Sequence, residues 1–448
     1  MKGFAIQPLP IAEQTQTEAS ATRKRLALAI AGALAWLMMV AGSASAQVVT
    51  LLHSFNDSLN GSSDLNHPYG ALIADKAGNF YSTTLNGGAS DYYGGVFELS
   101  PPATKGGVWK ETVLYSFTGG VDGSMSNAGL VMDANGALYG TTTEGGTSDY
   151  GVVFQLVPPV VEGDPWTENV LYSFTNGNDG ANPGDALVFD KSGNLFGTAS
   201  RGGSGAGGTI FELNPPATSG GTWTYNVLYS FSSAKDSATG CEPEASLLPA
   251  LNGSFYGTTI GCGNNNGGVA FELSPPTVSG GEWTYTVIHV FGFRNGTGDG
   301  SYPQANLIAG KGGVLYGATL MGGTSAEGTV YSLTPPVAKG GTWKESILLS
   351  FNGANGYNPI GPLTITANGT LYGTTADGNP ALQGTIFKLT PPAVSGGTWT
   401  DTTLIIFTNA ATSPSFPEAS LSLIDGALYS TSALGGPNDD GTVFKFVP

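Results

Sequence analysis

The residues best suited to chemistry are carboxylates, and they fall in Gly/Asp-rich loops: Asp122, Glu144, Asp179, Asp185, Asp299, Asp377, Asp439 and Asp440. Two carboxylates at a set separation can cleave a glycosidic bond, one as acid and one as base or nucleophile. Clustered oxygens can instead hold Ca²⁺. No stretch has the spacing of an EF-hand loop, and Asp, Asn and Gly are also ordinary turn residues. Only three histidines occur. His53 and His289 occupy a position filled elsewhere by Tyr115, Tyr172 and Tyr229, so they read as packing residues. His67 lies in a loop close to Asp64. One imidazole can pass a proton, but a metal centre wants more of them. No catalytic residue and no metal ligand is therefore assigned, and Ca²⁺ at an acidic loop is the one cofactor considered. Cys241 and Cys262 are the only cysteines. An even count in an exported chain predicts a disulfide, which at this loop length would contribute roughly 3 kcal/mol.

These residues are set on a repeated scaffold. A Leu-Tyr-Ser-Phe-like strand, a Gly/Asp-rich loop, a Leu-Tyr-Gly-Thr-Thr strand, a Val-Phe-Glu-Leu strand, Pro-Pro and Trp recur seven times. The closing phenylalanines, Phe55, Phe117, Phe174, Phe231, Phe291, Phe351 and Phe407, are 62, 57, 57, 60, 60 and 56 residues apart, which calls for a tandem array. In the second repeat, Ala128 to Met132 and Ala137 to Thr142 flank the turn Asp133-Ala-Asn-Gly136 as a hairpin. Val152 to Val157 and Thr167 to Phe174 then make four strands. Pro-Pro pairs such as Pro158-Pro159 end the third strand by removing ladder donors. The Trp that opens the fourth, as at Trp109 or Trp223, reads as lateral packing rather than a ligand platform. No window sustains a helical period.

Seven four-stranded antiparallel meanders predict an all-β, seven-bladed β-propeller. After Phe407 three strands remain, ending at Val443 to Pro448, and the missing fourth is Val48 to Phe55. The N-terminal strand (48–55) is thus expected to complete the last blade and close the ring.

In such a ring the loops from fourth to first strand and from second to third share a face. A Pro-x-small-x-Leu pattern, from Pro68 to Leu72 through Pro417 to Leu421, marks its inner rim. The residues after the Pro position are Tyr69, Asn127, Gly184, Glu244, Gln304, Ile360 and Glu418; they change between blades while their neighbours stay regular. Of these, Tyr69, Asn127, Glu244, Gln304 and Glu418 are the candidate binding residues, and neutral drift of loop positions is the competing explanation.

Gly129 to Gly146 followed by Gly151 to Pro159 resembles the Gloeobacter/Verrucomicrobia (GloVer) tandem repeat, and the resemblance extends over nearly all of the chain after the leader. It implies an exported bacterial protein and transfers no catalytic residue. Members often carry a C-terminal sorting anchor, whereas here the last strand runs to Pro448. Kelch spacing and the Trp-Asp signature of WD40 blades are not matched.

Arg23-Lys24-Arg25, the apolar run Leu26 to Ala41 and the small residues up to Ala46 read as a signal peptide over 1–46, cleaved before Gln47; the alternative is an uncleaved anchor. Residues 47–448, the propeller, then hold 12 basic and 31 acidic residues, a net charge of −19. That surface argues against nucleic-acid and anionic-membrane partners. The expectation is a monomeric, secreted or periplasmic, non-catalytic propeller that binds an extracellular ligand, glycan or protein on its loop face. A glycosidase or lyase using the acidic loops is the alternative, and a structural cell-surface protein the third reading.

Overall fold

In the computed structural model the described residues are 48–448, except 57–63, 90–91, 162, 219, 235–236, 264–265, 279, 293–298, 339, 379–381, 395 and 409–412. The expected leader over 1–46 lies outside them. Seven four-stranded antiparallel sheets follow one another as the blades of a propeller. Blade 2 is typical: Val131–Met132, Leu138–Thr142, Val152–Val157 and Thr167–Ser173, paired in that order. The other five continuous blades span residues 73–116, 188–232, 248–290, 308–350 and 364–408 (blades 1 and 3–6). Blade 7 is assembled from both ends of the ring. Its strands Ser422–Ile424, Ala427–Ser432 and Thr442–Phe446 are completed by Val49–Ser54, with Val49 opposite Phe446 and Ser54 opposite Thr442. Among the described residues no helix is long and apolar enough to cross a membrane.

The repeated residues build the spaces between blades. Phe117 of blade 1 meets Phe154 of blade 2 edge-on at 5.2 Å, amid Tyr81, Val96, Leu130, Leu138 and Leu156. The same kind of cluster joins blade 7 to blade 1 through Phe55, Tyr429, Phe80 and Phe97. The Gly of Leu-Tyr-Gly-Thr is a packing requirement, since a Cβ at Gly140 would lie 2.6 Å from Phe154 Cζ. The following Thr reaches the next blade: Thr83 Oγ1 donates to the Ala128 carbonyl at 2.7 Å, and Thr431 Oγ1 to that of Gly70 at 3.3 Å. The tryptophans pack laterally, Trp109 stacking on Phe80 and Trp223 meeting Tyr139 of the preceding blade.

The innermost strands differ from expectation. Only Val131–Met132 of the run from Ala128 pairs as a ladder. Nearer the axis, inner-strand carbonyls such as that of Ala128 bond to the neighbouring blade instead.

The fourth-to-first and second-to-third loops do lie together, because every blade ties them by a short antiparallel pairing. Leu65–Asn66 pairs with Asn86–Gly87, Gly300–Ser301 with Met321–Gly322, and Pro414–Ser415 with Leu434–Gly435. Ser124, Ala181, Cys241 and Tyr357 bridge to Glu144, Arg201, Gly261 and Asp377. In blade 4 this tie is covalent as well: Cys241 and Cys262 form a disulfide, 21 residues apart in sequence. Replacing both by Ser should lower stability by about 3 kcal/mol, measured as the urea midpoint. An unchanged midpoint would mean that the two Cys241–Gly261 backbone bonds hold the loops unaided.

Candidate functional site

The rim residues converge. Tyr69, Asn127, Gly184, Glu244, Gln304, Ile360 and Glu418 all line one cavity of about 570 Å³ at the centre of the ring. Residues two positions further on, Ala71, Gly129, Ala186, Ser246, Asn306, Pro362 and Ser420, line it too, as the two-residue alternation of an extended chain requires. A side chamber of about 190 Å³ opens beside Asn127, Asn182, Ser200, Glu244 and Gln304.

Three carboxylates and three amides give the wall its character. Gln304 Nε2 donates to Glu244 Oε2 at 3.1 Å, across blades 5 and 4. Ser246 donates from Oγ to Asp185 Oδ1 at 2.5 Å, while its N–H reaches Asn306 Oδ1 at 2.8 Å. The wall of blades 3, 4 and 5 is thus one polar network. Burial pushes Asp185 up to about 6, against the lowering effect of its bonds from Ser246 and the Ala186 N–H. Burial and the charges of Glu242 and Asp185 raise Glu244. Glu418 is pushed up to about 7 by burial and by Asp377, and in turn helps burial to raise the Tyr69 hydroxyl. No lysine, arginine or histidine is among the described residues of the cavity wall.

Most of the loop carboxylates offered by the sequence are elsewhere. Asp122 accepts from Thr118 N–H at 2.9 Å, Thr118 Oγ1 at 2.6 Å and Tyr115 Oη at 3.1 Å. Asp179 repeats this with Thr175 and Tyr172, and Asp439 accepts the Gly435 N–H. They cap loops, and none lines the cavity. Asp185 alone of that group does. The pairing of His67 with Asp64 is not formed. His67 contacts Asn66 Oδ1 through Nδ1 at 2.8 Å, whereas Asp64 accepts the Asn56 N–H at 3.1 Å and lies against Glu111.

His53 and His289 pack edge-on against Phe55 and Phe291 as expected of the Tyr position. They also face acids, which the sequence reading missed. At four of the junctions between blades, the Tyr or His of one outer strand and the following loop Asp meet a residue near the start of the next outer strand. That residue is Glu111, Glu168, Tyr225 or Glu345. The repeat period aligns these four, so it carried the signal.

Glu168 is pushed up to about 7 by burial and by the charge of Asp122, against an ordinary value of 4.5. Between about pH 4.5 and 7 the folded state therefore holds a proton that the unfolded chain has released, and this group's contribution is lost as pH rises through that window. Glu168→Gln should raise Tm at pH 8 by about 2 °C, or about 1 kcal/mol allowing for solvent screening, and leave Tm at pH 4 unchanged. Calorimetry at the two pH values checks both signs.

No sequence among curated proteins matches the chain. Solved structures with a similar course include the extracellular domain of a protein assigned as a one-component system from B. thetaiotaomicron, with 14% identity and a TM-score of 0.49 over 89% of this chain. This chain spans 42% of that one. PorZ, a surface component of the type IX secretion system of Porphyromonas gingivalis, is 13% identical with a TM-score of 0.47, over 84% of this chain and 46% of PorZ. The polysaccharide lyase Uly1 is 11% identical with a TM-score of 0.49, over 88% of this chain and 94% of the lyase. None of their activities transfers at this level of likeness. The family model is decisive by comparison: the Gloeobacter/Verrucomicrobia repeat matches residues 40–239 and 160–359 in tandem. The chain belongs to the Gloeobacter/Verrucomicrobia repeat family, built as a seven-bladed propeller.

Proposed function

We propose that the protein is an exported binding module that takes a neutral or cationic glycan at the central cavity. One observation carries this reading: the positions that vary between blades gather on a single cavity walled by Asp185, Glu244, Glu418, Asn127, Gln304, Asn306 and Tyr69. Carboxylates and amides there match the donors and acceptors of sugar hydroxyls, and the acidic wall disfavours anionic ligands. The disulfide fits an oxidising compartment, in keeping with export. Glycan-array binding followed by calorimetry tests it. Gln304→Ala and Asn127→Ala should each weaken binding at least about tenfold, the loss of one to two ligand hydrogen bonds, with the melting curve unchanged. Absence of binding to any neutral or cationic glycan would overturn the proposal.

A second reading is a glycosidase or lyase. Glu418, raised to about 7, retains a proton near neutral pH and suits a general acid. Product release from a bound glycan, abolished by Glu418→Gln while binding persists, would establish this reading over the first.

A further inference from the structure

We propose that His289, Asp299 and Glu345 form a site for a divalent cation of the zinc type, which staples blade 4 to blade 5. His289 is the penultimate residue of the outer strand of blade 4, Asp299 lies in the loop beyond it, and Glu345 belongs to the outer strand of blade 5. One ligand atom from each residue lies within 4.8 Å of the other two. His289 Nε2 is 3.6 Å from Glu345 Oε2 and 3.8 Å from Asp299 Oδ1. Those distances are too long for hydrogen bonds. They are close to the separation of two donors on one ion, since bonds of about 2.1 Å at a tetrahedral angle place the donors about 3.4 Å apart.

The unpaired atoms point the same way. His289 Nε2 and Glu345 Oε1 are buried without a hydrogen-bond partner. Asp299 is held from behind, its carboxylate accepting the Gly292 N–H at 2.7 Å and the Gly300 N–H at 2.8 Å, the bracing expected of a metal ligand. Two carboxylates beside one imidazole leave a negative balance that a dication would neutralise. The side chains are 17–26% exposed, which leaves a path for the ion and a position for water.

The sister junctions serve as internal controls. Where blade 7 meets blade 1, His53 Nε2 has closed on Glu111 Oε2 at 2.9 Å. Between blades 1 and 2, and between 2 and 3, a Tyr hydroxyl contacts the loop Asp directly, Tyr115 to Asp122 at 3.1 Å and Tyr172 to Asp179 at 3.0 Å. His53 Nε2 and Glu111 Oε1 are likewise without a hydrogen-bond partner, so the two histidine junctions differ in spacing: 2.9 Å between imidazole and glutamate at blades 7 and 1, and 3.6 Å at blades 4 and 5. One nitrogen and two oxygens favour Zn²⁺ or Mn²⁺ over Ca²⁺.

The test is calorimetric titration and thermal melting of the purified protein, first stripped with EDTA, then given Zn²⁺, Mn²⁺ or Ca²⁺ alone. Zn²⁺ should bind one to one and raise Tm by several degrees at saturation, with Ca²⁺ at least tenfold weaker. His289→Tyr installs the sister residue and should abolish the zinc response while melting normally in EDTA; His53→Tyr should retain it. Glu345→Gln, which keeps the side-chain shape, should weaken zinc binding more than tenfold. Absence of stoichiometric zinc binding, undiminished binding in His289→Tyr or Glu345→Gln, or stronger binding of Ca²⁺ than of Zn²⁺ would overturn the proposal.

Discussion

A chain lacking residues 49–54 should fail to fold, showing no cooperative thermal transition and no near-ultraviolet circular dichroism. Those residues are the outer strand of blade 7 and supply its whole ladder to Thr442–Phe446. Without them the strand Thr442–Phe446 becomes a bare edge at the middle of the ring's last sheet, an invitation to intermolecular pairing. The cluster that Phe55 shares with Phe97, Tyr429 and Val443 also loses its covering, partly buried Leu52. Moving the same segment to follow Pro448 through a flexible linker should restore folding, because the blade needs the strand and not its connection to blade 1. A truncated chain that melts like the full one would show that the ring stands without closure.

Phe174→Ala should destabilise by about 3–5 kcal/mol, the usual cost of emptying an aromatic site in a core. Phe174 is fully buried and meets Tyr172, Phe211 and Tyr225 at ring distances of 5.2, 5.4 and 5.8 Å. The site joins blades 2 and 3, so it cannot collapse without moving one blade against the other. Phe174→Leu, which keeps much of the volume, should cost about 1–2 kcal/mol. Trp223→Ala should cost less than Phe174→Ala, since Trp223 is half-buried at the outer margin of the same cluster. Urea unfolding of the three variants gives the order; equal losses would contradict a core centred on the phenylalanines.

What could be read in advance follows the period. Blade number, strand order and closure are statements about copies of one unit, and comparing copies exposes them; the Cys241–Cys262 bond was legible on other grounds, as the pairing open to the two cysteines of an exported chain. The rim was readable for the same reason, because Tyr69 and Glu418 occupy equivalent places with different chemistry. Ser246 and Asn306 were missed although they stand two residues beyond Glu244 and Gln304, where alternation returns a side chain to the same face. The acid and imidazole sets were missed because they span blades. Glu345 lies 56 residues beyond His289, and only the packing of neighbouring outer strands brings them together. Asp122 and Asp179 misled for the opposite reason: their bonds are local, to Thr118 and Thr175 four residues away, and local capping looks like catalytic composition when only residue types are visible.

The mixed blade also sets how the ring responds to pulling. Val49 lies opposite Phe446, so the strand that enters the ring and the strand that leaves it meet at the same end of one antiparallel ladder. Tension applied between residues 49 and 446 loads the bond nearest the ends first and then each one in turn, as in a zipper. Force applied to two loops of other blades is instead shared across whole interfaces. The ring should therefore yield at low force from its termini and resist along every other axis.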